Sequence, residues 1–312
     1  MKKILITGGA GYIGNVLTRN LIKKDYNVTV LDNFAYKQNS SIIDLLKYDN
    51  FEIIDGDVRD SFLLSNLLKK NDVIIPLAGI VGAPACDKNK ILATEINTTQ
   101  IKSITKQLSK DQIIILPVTN SGYGIGKKDI YCDENSPLNP ISHYGKTKVE
   151  AEKFILDVNN FVSLRLATVF GLSSRMRTDL LVNDFVYKAF KDKYVVLFES
   201  HFKRNYIHID DISNVITTIL GDFNHFKNQI YNVGINDANL SKKELCEKIK
   251  EHLTELQIIE NNFAKDPDQR NYIVSNDKIY NKGWKPKKTL DDGIRELIKA
   301  YKVLNFGNIT NV

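Results

Sequence analysis

The stretch "ITGGAGYIG", Ile6 to Gly14, decides the fold. It continues the apolar run "KILIT" (3–7) and opens the first amphipathic segment. Gly8, Gly11 and Gly14 recur every third residue, and Gly9, Gly11 and Gly14 satisfy GxGxxG. A glycine turn between a strand and a helix lets an anionic group approach the backbone. The anion then rests on the free N–H groups and positive dipole end of the helix. Such a turn can also serve packing alone, so its surroundings have to decide.

Outward from that turn, apolar runs alternate with amphipathic segments: "NVTVLD" (27–32), "FEIID" (51–55), "DVIIPLAG" (72–79), "IIILPV" (113–118) and "FVSLRLA" (161–167). This is βαβ order, and runs apolar at consecutive positions suit strands covered by helices on both faces. The expected fold is α/β, a Rossmann-type doubly wound parallel sheet with a smaller mixed α/β carboxyl-terminal substrate lobe. Pro76 and Pro117 are expected where their strands leave the sheet, since proline removes a ladder hydrogen bond. After residue 171 the regularity gives way to short runs, "YVVLF" (194–198), "RNYIHI" (204–209) and "QIYNVG" (229–234), with helices over 241–253 and 290–304. Residues 1–171 are therefore expected to form the dinucleotide-binding domain with the catalytic residues. Residues 172–312 mainly form the substrate lobe, interleaved with the main sheet.

Asp32 ends the second strand eighteen residues after Gly14. A carboxylate there accepts hydrogen bonds from the adenosine ribose hydroxyls. The same charge about 4 Å from a 2'-phosphate would cost a few kcal/mol at an effective dielectric near 20, on the order of a thousandfold. Neither Asn33 nor Phe34 offers a compensating cation, so the expected cofactor is NAD rather than NADP. The turn residues Gly8, Gly11, Tyr12, Ile13 and Gly14 are expected to touch it, with Asp32 and Asn33 at the ribose. Asp57 in "DGDVRD" is placed for the adenine amino group and Val58 for a backbone N–H, though Asp57 could equally cap the helix beginning near Arg59.

At 312 residues and 43% hydrophobic content, the chain can fill a sizeable core. It has no apolar run long enough to cross a membrane and no signal-peptide pattern. Three scattered cysteines, Cys86, Cys132 and Cys246, lack metal-ligand spacing, so reduced thiols, no metal and a cytoplasmic location are expected. The net charge of +6 is spread along the chain and interleaved with acids, which argues against nucleic-acid binding and favours anionic small substrates.

In "SHYGKTKVEAEKF" (142–154), Tyr144 and Lys148 stand one helical turn apart. A tyrosine, with an ordinary pKa near 10, needs neighbouring positive charge to act as a base at neutral pH. Lys148 is expected to supply it while holding the nicotinamide ribose. Alone, this spacing is more often a surface pair, but here it follows the fifth strand of a dinucleotide-binding pattern.

With these residues in place, the chain resembles the extended short-chain dehydrogenase/reductase family, in its branch of nucleotide-sugar epimerases, dehydratases and dehydrogenases. The likeness extends through "LAGIVG" (77–82), "EIN" ending at Asn97, "TNSGYG" (119–124), "RLATVFG" (165–171), "RNYIHIDDI" (204–212) and "DQRNY" (268–272). It implies that Thr119 hydrogen-bonds the reacting hydroxyl, Tyr144 is the base, Lys148 its partner, and Asn97 helps to position the lysine. Leu77, Ala78 and Gly79 would line the cofactor. It further implies that Ser121 meets the substrate and that Asn183, Arg204 and Arg270 hold a nucleotide diphosphate, for which arginine's bidentate fork is suited. Arg175 and Arg177 in "SSRMRTD" form another basic pair after the last Rossmann-type strand, expected near the sugar or phosphate but outside the assigned set.

Two departures carry information. Related 4,6-dehydratases follow the threonine with an Asp-Glu pair that eliminates water, whereas here Asn120 and Ser121 stand there, so dehydration is not expected. Asn205 replaces the acid usual after the arginine of "RDF". The resemblance implies NAD-dependent oxidation of a secondary hydroxyl, at C4, of a nucleotide-linked sugar, with GDP-heptose 4-dehydrogenases as a more specific likeness and a nucleotide-sugar 4-epimerase as the alternative. A homodimer paired through the Tyr144 helix and the helix near 90–108 is the family expectation. A dinucleotide-binding regulator without catalysis is the different-class alternative, but such proteins usually lose the tyrosine or the lysine, and both are present.

Overall fold

The computed structural model describes residues 2–261, 269–304 and 311. Seven strands form the main sheet: β1 Lys3–Thr7, β2 Asn27–Asp32, β3 Phe51–Asp55, β4 Val73–Pro76, β5 Ile113–Thr119, β6 Phe161–Leu166 and β7 Gln229–Val233. Their order is β7-β6-β5-β4-β1-β2-β3, and every pairing is parallel. The consecutive apolar residues have a simple cause. Ile4 and Ile6 enter the core on one face of the sheet while Leu5 enters the other, and Val73 and Ile75 likewise oppose Ile74. Since successive side chains alternate faces, a strand covered on both sides must be apolar throughout.

From β1 the chain winds outward through β2 and β3, then returns to place β4 on the other side of β1. That reversal opens a crevice at the carboxyl ends of β1 and β4, where ligands of such sheets bind. Pro76 ends β4, as expected. Pro117 lies two residues inside β5, which runs on to Thr119, but β5 pairs with β4 only at Ile113 and Ile114. Beyond those residues the two strands separate, and the ladder on that side needs no N–H from Pro117.

The chain after residue 171 returns β7 to the main sheet and builds smaller sheets beside it. Lys203–His208 pairs antiparallel with Asn239–Ser241 and parallel with Thr168–Phe170, and Tyr194–Phe198 pairs parallel with Gln257–Asn261. Helices Lys242–His252 and Leu290–Val303 begin at capping boxes, Ser241 with Glu244 and Thr289 with Asp292.

Asn205 has a clear packing reason. Its buried amide donates to the carbonyls of Ile235 at 2.7 Å and Ala238 at 3.3 Å, and its Oδ1 accepts from Asn276 at 3.3 Å. A carboxylate could not donate to either carbonyl. All three cysteines are buried thiols. Among the described residues, no helix is long and apolar enough to cross a membrane.

Candidate active site

At the crevice, a cavity of about 940 Å³ of empty space, part of it open to solvent, is lined by Gly8, the Gly11–Gly14 turn, Asp32, Asn33, Asp57, Val58 and Leu77–Val81. Gly8 has φ +71°, and a Cβ there would lie 2.5 Å from the backbone nitrogen of Ala78. Gly14 is as constrained, because a Cβ would meet the Gly8 carbonyl oxygen at 2.3 Å. These two glycines therefore close-pack the turn against its neighbours. Gly11, by contrast, has one such neighbour, the Gly8 oxygen at 3.0 Å, and its exposed side is open. Helix Tyr12–Ile22 starts there with no side-chain cap and no acid in its first turn. An uncapped helix start behind an open glycine turn fits a pyrophosphate.

Asp32 is held in place by the N–H groups of Ala10 at 3.0 Å and Phe34 at 2.9 Å. Burial raises its carboxyl above the ordinary value, partly offset by those two hydrogen bonds. Asp57 lines the same cavity, but its carboxylate is gripped by Arg59, with Oδ2 2.8 Å from Nη2. Those hydrogen bonds hold Asp57 below the usual carboxylate range. The helix it could have capped is capped by Asp60 instead, which accepts from Phe62 and Leu63.

A second cavity, of about 1600 Å³ and also partly open, adjoins the first and contains Thr119, Ser121, Tyr144, Lys148, Arg204 and Arg270. Helix His143–Ile155 brings in Tyr144 and Lys148, and its start is fixed by Ser142, whose Oγ accepts from the N–H of Gly145 at 3.1 Å. Thr119 and Ser121 come from the end of β5, with their hydroxyl oxygens 2.9 Å apart. Burial pushes the Tyr144 phenol up to about 12, against the charges of Arg270 and Arg177 and hydrogen bonding with Thr119, while Cys86 adds to the rise. Burial also lowers Lys148 to about 8. Lys148 was the sequence-expected cation acting on the phenol, and Arg270 and Arg177 also pull it down. With its pKa raised, the Tyr144 phenol is held protonated in the protein alone, so work as a base calls for further positive charge beside it.

Several expected site residues take other positions. Asn183 was expected at the diphosphate, yet it is fully buried. Its amide donates to the Arg177 carbonyl at 2.8 Å and the Tyr12 hydroxyl at 3.2 Å, and its Oδ1 accepts from the Gly171 N–H at 3.1 Å. Asn183 is a brace, with both amide atoms engaged by the chain. Tyr12 flanks both cavities but spends its hydroxyl on the Gly171 carbonyl at 2.7 Å. Asn97, 1% exposed, faces the chain rather than the cofactor cavity. It exchanges hydrogen bonds with the backbone of Ile80, both at 2.9 Å, and donates to the Thr147 hydroxyl at 3.1 Å, beside Lys148. Its contact with the catalytic helix is thus at Thr147, not at Lys148 itself. Asn120 is buried and absent from the cavity wall, so of the two residues after Thr119 only Ser121 faces a substrate.

Arg204 lines the second cavity, 2% exposed, with its guanidinium 5.9 Å from the centre of the Tyr272 ring. Arg270 donates to the Ser121 hydroxyl, close to the reacting centre as well as to the cavity. The Asp268 of "DQRNY" lies outside the described residues. Lys242 was missed. It stands at the start of its helix, 3% exposed, and donates to the Phe198 carbonyl at 2.7 Å on the same cavity wall. Its sequence context, a lysine pair in a surface-patterned helix, gave no sign of burial. Arg177 also belongs here, paired with Asp179 at 2.5 Å and lining both cavities.

Residues 4–234 match the model of the NAD dependent epimerase/dehydratase family. The chain belongs to this family. Its relatives cover it nearly end to end. A putative UDP-glucose 4-epimerase of Methanocaldococcus jannaschii is 25% identical over 96% of this chain and 98% of its own. The dTDP-D-glucose 4,6-dehydratase of Homo sapiens is 25% identical over 100% of this chain and 93% of its own. The fold matches UDP-glucuronic acid 4-epimerase from Bacillus cereus, solved with UDP-glucuronic acid and NAD, at a TM-score of 0.83, with 24% identity, 96% of this chain and 99% of that one covered. The protein is thus an NAD-dependent enzyme of the nucleotide-sugar epimerase/dehydratase family, and its open glycine turn and Asp32 suit that cofactor. These relatives lend no support to a GDP-heptose substrate in particular.

Proposed function

We propose that the enzyme oxidises the C4 hydroxyl of a nucleotide-diphosphate sugar and does not eliminate water. One observation carries the second half of that reading. Among the described residues, the carboxylates lining the substrate cavity are Asp179 and Asp184, and each is ion-paired, with Arg177 at 2.5 Å and with Lys188 at 2.7 Å. The positions after Thr119 hold a buried amide that does not line the cavity and a hydroxyl that does. Elimination needs one group to take the C5 proton and another to protonate the leaving hydroxyl, and this wall offers neither as a free carboxyl.

Oxidation asks less of the chain. Tyr144, once ionised, takes the C4 hydroxyl proton while Thr119 steadies the oxygen, and Lys148 keeps positive charge nearby. Bound NAD supplies the acceptor for the C4 hydride. Arg204, Lys242 and Arg270 line the cavity with donors of the kind that a diphosphate accepts. The hydride can then return to the other face of the ketone, which makes a 4-epimerase, or the ketone can leave, which makes a dehydrogenase. The full-length relationship to UDP-glucose 4-epimerases supports the first outcome. Retention of both Tyr144 and Lys148 argues against a regulator without catalysis.

The test is the mass of products from a panel of nucleotide sugars. The expected product equals the substrate in mass or is lighter by two hydrogens, with no solvent deuterium at C5. A product lacking the elements of water would overturn the reading. We also propose a cytoplasmic homodimer paired through helices Gln100–Gln107 and His143–Ile155, which a monomeric mass at micromolar concentration would refute.

A further inference from the structure

The segment from Gly171 to Asp179 leaves the small sheet and crosses to the glycine-rich turn. It is fastened there at several points. Tyr12 donates its hydroxyl to the Gly171 carbonyl, Ser173 donates its hydroxyl to the Tyr12 carbonyl at 2.9 Å, and Asn183 ties Tyr12, Gly171 and Arg177 together. This fastening delivers two guanidinium groups, from residues 3% and 6% exposed, to the wall of the dinucleotide cavity: Arg175 and Arg177.

Arg175 is the more telling. Its partners among the described residues are neutral: Asn311 Oδ1 at 2.6 Å, the Met176 carbonyl at 3.5 Å, and the Tyr36 ring at 4.8 Å. Burial, then the charge of Arg177, lowers its pKa. Two buried cations facing one cavity are a cost in the protein alone, and an anion in that cavity removes it. Arg177 is already paired with Asp179, whereas Arg175 has no carboxylate at ion-pair distance among the described residues and feels Asp179 and Asp32 only from farther off. The uncapped helix start behind Gly11 lines the same cavity.

We propose that Arg175 and Arg177 clasp the pyrophosphate of NAD together with the glycine turn. Arg175 lines the dinucleotide cavity alone, whereas Arg177 lines both cavities and reaches the cofactor where the sugar nucleotide enters. The clasp belongs to the chain after β6, so cofactor retention depends on a segment outside the glycine-rich βαβ unit.

The experiment uses protein stripped of nucleotide and compares NAD, ADP-ribose and adenosine by calorimetry. Arg175→Gln, and separately Arg177→Gln combined with Asp179→Asn to keep the charge balanced, should weaken NAD and ADP-ribose about 10- to 100-fold, the scale of a charge-assisted hydrogen bond. Adenosine, which lacks phosphate, should bind each variant as it binds the parent. Arg175→Lys should recover part of the loss. Unchanged ADP-ribose affinity, or an equal loss for adenosine, would overturn the proposal. Hydrogen exchange of the unaltered protein tests it without any variant. ADP-ribose should protect the amides of residues 172–178 and adenosine should not, and equal protection by both, or by neither, would refute the clasp. The outcome does not bear on which reaction the enzyme performs.

Discussion

Glu152 lies one helical turn beyond Lys148 on the catalytic helix and is locked to Arg165 of β6, their side chains 4% and 5% exposed. Arg165 Nη2 stands 2.7 Å from Oε2, Nε is 3.1 Å from both carboxylate oxygens, and the Ser163 hydroxyl donates to Oε1 at 2.5 Å. Replacing Glu152 by Gln keeps the shape and removes the charge, leaving a guanidinium buried against a neutral amide. Breaking a buried pair from one side costs about 3–5 kcal/mol. Arg165 keeps two further acceptors, the Tyr123 hydroxyl at 3.1 Å and the Glu134 carbonyl at 3.2 Å, so the lower end applies. At roughly 2–4 °C per kcal/mol for a chain of this class, Tm should fall by about 10 °C. Scanning calorimetry measures this directly. The pairing also has a catalytic reading. Glu152 favours the charged form of Lys148, which is protonated below about 8 and neutral above it. Turnover that needs that charge declines as pH rises through this value, and in Glu152→Gln the decline should begin at lower pH. The double variant Glu152→Leu with Arg165→Met should recover most of the lost stability, because no charge is left stranded. A single variant melting within a degree or two of the parent, or a double variant melting as low as the single, would refute the argument.

Tyr144→Phe should abolish oxidation while NAD affinity stays within about threefold, since only the phenolic oxygen is lost. In the difference between parent and variant absorbance titrations, the phenolate step should lie near 12 without NAD and move down with it; an unmoved step would remove the nicotinamide charge from the activation of the base. Asn205→Asp should cost about 1–3 kcal/mol in urea unfolding, because two carbonyls lose their donor. A carboxyl buried there has a raised pKa, so the deficit should grow as pH climbs above the ordinary carboxylate range, and a deficit independent of pH would contradict that.

What the sequence determined by itself is what short-range geometry sets. Alternation of strand faces made "KILIT" and "DVIIPLAG" readable as doubly covered strands, the helical turn put Tyr144 beside Lys148, and the eighteen residues from Gly14 to Asp32 span one helix and one strand. Even the missing acid pair after Thr119 was legible, because neighbours in sequence stay neighbours at the end of a strand. The tertiary structure alone decided the rest. Asn183, read as a ligand residue, was taken up by Tyr12, 171 positions earlier in the chain, and by Gly171. Arg175 and Arg177 acquired a place only when their segment docked on the glycine turn, and Arg270 met Ser121 across 149 positions. Lys242 gained its burial in the same way, from the Phe198 carbonyl of a distant strand. The physical reason is that a polar side chain's role follows from the partners that satisfy it, and those partners are chosen when separate segments pack, a step that no local pattern records.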